Sequence, residues 1–466
     1  MAYATRKKGV PNMSIRIVGV LLIGLALALV MGGSRCSGGG EGDANQEQSG
    51  PDSLGVTEIA EDSETGTVGT DPRSAARSVD DGSQSETTRL TSINDRMIQG
   101  NSTFAFLLFR NTCGSGEQKN IFISPLSVSV ALAMTLNGAT GKTAEEMASV
   151  LGVSGMALDE LNRSMADLST TLERADSAVV FTVANSLWCR KGFELRPDFL
   201  GRNAEFYRAE TAYLDFSNPG SPAVINGWVK GATRGLIDQI VDSISRETIL
   251  YLINAIYFKG HWQVEFDPSV TRDLPFHLVG GGEKQTPMMS RSGSFRYGED
   301  TAFQALRLPY GGGRMAMYVF LPRATDGLGE FLRGFDERAL AEWAGKLATR
   351  EGDVSLPCFK IAYECALAPA LKTMGMRDAF AAGAADFSKM SDGDLFISEV
   401  KHKAVVDVDE EGTEAAAVTS VEIKATSVEA PRERFSFTAD RPFFFVIRDD
   451  ATGTVLFMGT LYDPAS

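Results

Sequence analysis

The chain has 466 residues, of which 43% are apolar and 23% charged, a composition typical of a globular protein with ample material for a core. Its net charge of −15, with no basic stripe, argues against nucleic acid as a partner. Only three histidines are present, His261, His277 and His402, so very few histidine-based catalytic or metal sites could be built.

The first 36 residues have the layout of an export signal. Basic side chains precede or enter an apolar run from Ile15 to Met31: Arg6, Lys7, Lys8 and Arg16. The run is shorter than the roughly 20 apolar residues of a membrane span, so a signal peptide is favoured over an uncleaved anchor. The stretch GGSRCSGGG also resembles a lipoprotein cleavage site, which makes lipid attachment at Cys36 an alternative, although Arg35 departs from that pattern.

Residues 37–89 are rich in Gly, Ser, Asp, Glu and Thr and almost lack aromatic side chains. Such a stretch cannot bury enough apolar surface to offset the entropy of ordering, so we expect a disordered acidic spacer. A spacer between an export signal and a folded body predicts a secreted or extracellular protein, either free or anchored at the cell surface.

The body, residues 90–466, alternates helical and extended patterns without an internal linker. Expected helices are 104–110, 124–138, which opens with a Ser-Pro cap, 143–152, the region near 196–208 and that around 222–234. Expected strands are 178–188, 212–216, 248–262, 305–310, 315–322, 443–449 and 454–464. The run at 248–262 is apolar throughout and β-branched, which suits a strand buried on both faces. The class is therefore α+β, in one large domain.

Motifs of known catalytic chemistry are missing from the sequence. GATGKT at 138–143 looks like the end of a phosphate-binding loop, but Leu136 stands where that loop needs glycine. We interpret it as a turn between helices with Thr143 as an N-cap. No G-x-S-x-G or H-E-x-x-H motif occurs. We therefore expect no enzyme activity, no cofactor and no metal.

The four cysteines of the body do not form a dense disulfide framework. They are Cys113, Cys189, Cys358 and Cys365. Cys358 and Cys365 lie on and just after an expected strand, and their odd offset along the chain places them on opposite faces. We expect buried free thiols.

Residues 409–435, DEEGTEAAAVTSVEIKATSVEAPRERF, follow the strand end VVDV and contain no obvious partner element. With a period of two, the odd positions from Thr413 to Ala425 are all small or apolar, while the even positions carry Glu414, Glu422 and Lys424. This pattern predicts a half-buried strand, although 414–417 could also form a helix. Either the segment is an ordinary strand, or it is exposed in one state and inserted in another.

EEGTEAAAVT resembles the hinge of the serpins, the serine-protease-inhibitor fold. Five further stretches resemble serpin motifs in the family's order: NIFISPLSVSVALAM (120–134), GKTAEEM (141–147), LINAIYFKGHW (252–262), HKAVVDVDEEGTEAA (402–416) and FTADRPFFFVI (437–447). Together they cover nearly all of residues 90–464. The resemblance implies about nine helices around three β-sheets, with an exposed reactive-centre loop at about 410–431.

The resemblance also implies a mechanism. A serpin offers its loop as bait in a metastable fold, and the target protease forms an acyl-enzyme through its own serine. The cut loop then inserts as a new central strand and distorts the trapped protease. The hinge would comprise Glu410, Gly412, Thr413, Glu414, Ala415, Ala416 and Ala417. Thr413 would enter the sheet first, and neither proline nor an inward-facing charge obstructs the residues that follow.

By the family's usual loop length, the reactive bond falls at Thr426–Ser427. A small residue on the acyl side favours elastase-like or subtilisin-like proteases. The runner-up bond, Lys424–Ala425, would suit trypsin-like proteases. The expected protein is a monomer that acts as a suicide substrate, and the alternative is a non-inhibitory serpin with a carrier, chaperone or storage role.

Other matched positions are mechanical in the family. Ser124, Ser127, Asn254 and His402 match a polar cluster where the sheet opens, and Trp262 matches an aromatic residue near the insertion point. The segment 155–175 is acidic where heparin-activated serpins are basic, so we expect no glycosaminoglycan activation. The remaining expected partner is a membrane, to which the N-terminus could tether the protein.

Overall fold

The computed structural model describes residues 93–113, 118–245, 248–413 and 434–464, and the backbone of 15–24. Most of the expected signal and the whole spacer, with Cys36, lie outside these residues. Within them the chain forms helices and strands in the mixed α+β arrangement expected from the sequence. The fold class is confirmed.

Nine α-helices occur in the described part of the chain, most of them in its first half. They are α1 (Asp95–Cys113), α2 (Pro125–Leu136), α3 (Gly141–Val150), α4 (Leu158–Glu173), α5 (Pro197–Tyr207), α6 (Ser221–Ala232), α7 (Leu328–Gly334), α8 (Glu337–Lys346) and α9 (Ala368–Met374). Helix α2 is buried along its whole length and begins at Ser124, whose hydroxyl accepts the Ser127 N–H. This is the serine cap expected from the sequence.

The first sheet of the described residues has seven strands. They are β1 (Ile15–Gly24), β3 (Val179–Arg190), β4 (Glu210–Leu214), β5 (Thr248–His261), β11 (Phe359–Ala366), β12 (Leu395–Val408) and the short β13 (Gly412–Thr413). Their order is β11-β12-β1-β5-β3-β4, and β13 pairs with β5. Strand β5 is the long β-branched run of the sequence, and helix α6 packs over one face of it.

The second described sheet has nine strands. They are β2 (Ile121–Ile123), β6 (Arg272–His277), β7 (Glu283–Glu299), β8 (Phe303–Pro309), β9 (Met315–Pro322), β10 (Ala348–Pro357), β14 (Phe435–Thr438), β15 (Phe443–Asp449) and β16 (Val455–Leu461). The start of β7 pairs with β6, its middle and later part (Met288–Tyr297) pairs with β10, and its C-terminal end pairs with β8. This strand therefore joins two sheets into one hydrogen-bonded ladder, and with the seven-stranded sheet they make the expected three.

The apolar N-terminal run provides an unexpected strand. Ile15–Gly24 pairs in parallel with β5 on one side and with β12 on the other. The sequence led us to expect these residues in an export signal, not in the central sheet. No helix in the described part of the chain is long and apolar enough to cross a membrane.

Local details differ from expectation in two places. Helix α3 begins at Gly141 with Thr140 as its N-cap residue, so the expectation that Thr143 caps it is wrong. Thr143 is buried instead, and its hydroxyl accepts the Asp386 N–H at 2.9 Å. The thiols of Cys189, Cys358 and Cys365 are free; Cys189 is buried as expected, whereas Cys358 and Cys365 are only partly buried. Burial raises the pKa of each thiol to about 12, which keeps it protonated.

Candidate functional site

The segment expected to be the hinge begins inside the seven-stranded sheet. Gly412 and Thr413 pair antiparallel with His261 and Gly260 at the end of β5. They lie on the side of β5 that faces β12, because the other side of Gly260 pairs with Val179 of β3. The first residues of the proposed reactive loop are therefore aligned with the space between β5 and β12.

Gly412 is fixed by its close approach to β5. Its φ is +149°, and a Cβ atom there would stand 2.3 Å from the carbonyl oxygen of Gly260. Both facts exclude a side chain at this position. The glycine that the hinge motif carries is thus required by the way the chain enters the sheet.

Thr413 is fully buried next to an aromatic pair. Its Oγ1 lies 2.9 Å from the hydroxyl of Tyr310. The Tyr310 ring stacks on Trp262, with 4.6 Å between the ring centroids and 10° between the planes. The hinge threonine therefore occupies a small, closed space that a larger side chain could not share.

Backbone hydrogen bonds hold the residues before Gly412 against the end of β5. The Trp262 N–H donates to the Glu411 carbonyl at 2.9 Å, and the indole N–H donates to the Asp409 carbonyl at 2.9 Å. The Phe266 N–H donates to the Glu410 carbonyl at 2.8 Å. Trp262 therefore holds the residues that lead into β13.

The carboxylate of Asp409 organises the turn itself. It accepts the N–H groups of Glu411 and Gly412 at 3.0 and 3.1 Å. Burial raises the pKa of Asp409 to about 6, and the neighbouring carboxylates Asp407 and Glu411 act in the same direction, while the two backbone donors oppose them. This side chain therefore titrates near neutral pH, unlike an ordinary aspartate.

A second group of buried polar side chains lies deeper, beneath the same space. The backbone N–H of Ser124 donates to Nε2 of His402 at 3.3 Å, and the Ser127 hydroxyl donates to Oδ1 of Asn254. The Asn254 amide in turn donates to Oδ1 of Asn185 at 2.7 Å. All five side chains are buried. The structure thus brings Ser124, Ser127, Asn254 and His402 together.

His402 is neutral in this environment. Burial lowers its pKa to about 3, and its Nε2 is the acceptor for Ser124. The proton must therefore reside on Nδ1, a buried atom that has no hydrogen-bond partner in the part of the chain that the structure describes.

The two polar residues of the sheet are level with one another. Asn254 on β5 and His402 on β12 are both register partners of position 21 in β1. The polar cluster therefore lies halfway along the space that separates β5 from β12. A strand in that space pairs with Asn254 on one side and His402 on the other, as β1 does.

Sequence reasoning missed two members of the site. Asn185 bridges the cluster to the backbone carbonyl of Tyr207 at 2.6 Å, and it shows in the sequence as an Asn-Ser interruption of an apolar strand. Tyr310 contacts both Thr413 and Trp262, but it looks like an ordinary end of a strand in the sequence. Only the tertiary fold brings it beside the hinge.

Several expected site residues lie outside the described part of the chain. They are Glu414, Ala415, Ala416 and Ala417 of the hinge, Lys424, Ala425, Thr426 and Ser427 of the two reactive bonds, and Cys36. Among the described residues, no group of three His, Cys, Asp or Glu side chains is arranged to hold a metal ion.

Comparison with known proteins agrees with this geometry. Residues 99–464 match the family model described as "Serpin (serine protease inhibitor)". The leukocyte elastase inhibitor of Bos taurus is 38% identical over 384 residues, which cover 79% of this chain and all of the relative.

Two solved structures show the same fold. The native state of the thermophilic serpin tengpin superposes with a TM-score of 0.72 at 32% identity, covering 80% of this chain and 95% of tengpin. Human thyroxine-binding globulin, in complex with its ligand, gives a TM-score of 0.73 at 29% identity, covering 79% of this chain and 99% of the globulin.

Proposed function

The chain belongs to the serpin family, and on that premise we propose that it inhibits serine-type endopeptidases as a suicide substrate. The observation that carries the proposal is the antiparallel pairing of Gly412 and Thr413 with the end of β5. This pairing starts a new strand at the edge that faces β12. Insertion of the cut loop would extend it along β5, into the position between β5 and β12 that β1 occupies in this structure.

The register of that pairing supports the proposal further. Continued along β5, it sets Ala415 opposite Phe258 and Ala417 opposite Ile256, both of which face the main core. Directly opposed residues of antiparallel strands share a face, so the small odd-numbered residues would point into the core. Thr419 would reach Asn254, a polar residue at the level of the polar cluster.

The other face of the inserted strand would also find a suitable surface. In the same register Val418 and Ser420 lie opposite Ala255 and Ile253, which pack beneath helix α6. Both loop side chains are small and uncharged. The helix above Ala255 and Ile253 favours uncharged side chains at these two positions.

The chemistry is that of an interrupted hydrolysis. The serine hydroxyl of the target protease attacks the carbonyl carbon of Thr426, the Thr426–Ser427 bond breaks, and Ser427 leaves as the new amino terminus. The protease then holds residues up to Thr426 as an ester. Insertion of the loop before water reaches that ester leaves the protease covalently trapped.

We further propose elastase-like or subtilisin-like proteases as targets, with trypsin-like proteases attacking Lys424–Ala425 as the runner-up. The elastase inhibitor named among the relatives supports this choice. The family membership also supports an inhibitor and not a catalyst. Secretion, with or without a surface tether, rests on the N-terminal sequence alone.

A non-inhibitory carrier is the second candidate, because thyroxine-binding globulin shares the fold. Incubation of residues 90–466, which lack β1, with subtilisin, elastase and trypsin in turn, followed by a denaturing gel, separates the two. An inhibitor gives a band near the summed masses that survives boiling in detergent. The mass of the released C-terminal peptide identifies the bond: residues 427–466 for Thr426–Ser427, and 425–466 for the runner-up. Cleavage without any such band would favour the carrier.

A further inference from the structure

The space between β5 and β12 already contains a strand. Ile15–Gly24 pairs with Thr248–Tyr257 of β5 and with Leu395–Ala404 of β12. The proposed function needs the same two edges for the cut loop. Strand β1 and the proposed reactive loop, almost 400 residues apart in the sequence, therefore compete for one position in the sheet.

The overlap extends to individual residues. In the register set by β13, loop residues 416–425 would pair with Tyr257 back to Thr248. Those are the β5 residues that β1 occupies now. Strand β1 ends at Gly24, opposite Tyr257, only three residues along β5 from the partner of Thr413. The loop can enter the sheet no further than its first residues while β1 is present.

The sequence of β1 suits this position. Five of its ten residues are β-branched: Ile15, Ile17, Val18, Val20 and Ile23. Such residues favour strands, and β1 uses the facing backbone edges of two neighbours at once. However, it runs parallel to both neighbours, and parallel pairing is slightly less stable per residue than the antiparallel pairing open to the loop.

We propose that Ile15–Gly24 is an autoinhibitory strand, which holds the central position of the sheet until it is removed or withdrawn. This inference rests on the proposed function, because it concerns the insertion step of the trap. A chain that keeps β1 in place is cut by the protease, but its loop must displace ten paired residues before it can insert. Water therefore hydrolyses the acyl-enzyme first and releases active protease.

Removal of the N-terminal part of the chain would activate the inhibitor. The strand lies in the part of the chain that carries the export-signal pattern, so loss of that part removes the inhibitor's own block. A chain with its N-terminus intact is a substrate for proteases, and a chain without β1 is an inhibitor.

The first experiment tests the position of β1. Leu22 and Ala255 are register partners. The full chain carrying Leu22→Cys and Ala255→Cys, oxidised mildly and digested, should yield the cross-linked peptide by mass spectrometry. The matched control carries Ala26→Cys with Ala255→Cys, since position 26 lies beyond the end of β1. Failure of the first pair to cross-link more than the control would overturn the proposal.

The second experiment tests what β1 does. Val20→Pro removes a backbone donor in the middle of the strand, and a central strand does not tolerate this change. Ala26→Pro, outside β1, is the control. Each full-length chain is nicked in its loop with subtilisin and then heated. Loop insertion adds a strand, so nicked Val20→Pro should gain thermal stability that nicked wild type and the control lack.

Trapping is measured on the same samples. The quantity measured is the number of chains cleaved for each protease molecule trapped. We expect it to be roughly tenfold higher for wild type than for Val20→Pro, because a moderate preference for the sheet that contains β1 gives a ratio of this size. Equal stability gains in all nicked chains would overturn the autoinhibition. A gain in stability confined to Val20→Pro, with no covalent complex from any chain, would support the block of loop insertion by β1 and refute the proposed inhibitor function.

Discussion

The hydroxyl groups of Thr413 and Tyr310 lie 2.9 Å apart in a buried contact, so the start of the proposed reactive loop is attached to the sheet in the uncut chain. The attachment is short, because it involves one threonine side chain and the two β13 residues. It sets the register in which later loop residues would pair with β5 if the loop inserted. The properties of the hinge can therefore be tested one residue at a time.

In residues 90–466, which lack β1, Thr413→Arg should convert the inhibitor into a substrate. A guanidinium in the closed space beside Tyr310 and Trp262 would be a buried, unpaired charge, which costs several kcal/mol. The loop would be cut but would not insert. On a denaturing gel, cut monomer should replace the covalent complex. Thr413→Val, which loses only the hydroxyl contact, is the matched control and should retain most trapping; if Thr413→Arg traps as well as Thr413→Val, the hinge assignment is wrong.

Gly412→Ala should expel the hinge from the sheet. The new Cβ would stand 2.3 Å from the Gly260 carbonyl oxygen at a φ of +149°, a strain of about 1–3 kcal/mol. Thermal unfolding should begin at a lower temperature, and the loop should be cut faster. Gly201→Ala, in helix α5 with open space around it, is the control and should be neutral or slightly stabilising.

Stability should fall as the pH drops from about 6.5 towards 3, because of His402. Its pKa is near 3 when folded and 6.5 when unfolded, so between these values the unfolded chain binds the extra proton. The neutral histidine therefore stabilises the fold fully above pH 6.5, and this contribution is lost on acidification. Urea unfolding at pH 7 and pH 4 measures the effect. His402→Gln keeps an acceptor for the Ser124 N–H and should have a smaller pH dependence.

Asp409 should act in the opposite direction. Its pKa is about 6 in the folded protein and 3.8 as an ordinary side chain, so the folded state binds the extra proton between these values. Its contribution is fully present below pH 3.8 and is lost as the pH rises through 6. Asp409→Asn, which keeps an oxygen for the turn donors, should be more stable than wild type at pH 7 but not at pH 4. An unchanged difference between these pH values would contradict the assignment.

Much of the body could be predicted because its signals are local. The apolar runs 315–322 and 443–449 form strands with those exact bounds, and the Ser-Pro pair starts helix α2 where expected. An apolar run buried on both sides has few other ways to fold. The hinge glycine was also identifiable, although its reason, a close backbone contact with Gly260, appears only in the structure.

The N-terminal strand could not be predicted, because an export signal and a buried strand look the same in sequence. Both are short apolar runs, and what distinguishes them is the pair of strand edges that Ile15–Gly24 meets. The same limit explains why Tyr310 was missed and why helix α3 begins at Gly141 and not with Thr143. Each depends on contacts with distant residues: Thr413 in the first case and Asp386 in the second.

The far end of the loop is anchored by strands β14, β15 and β16. Phe435 stacks on Tyr297 with 3.9 Å between ring centroids, and β15 lies fully paired between β9 and β16. A single cut in the loop thus divides the polypeptide but not the folded body, because the small C-terminal fragment supplies the interior of a sheet. The cut protein should elute from a sizing column as one particle, and its two pieces should separate only in denaturant.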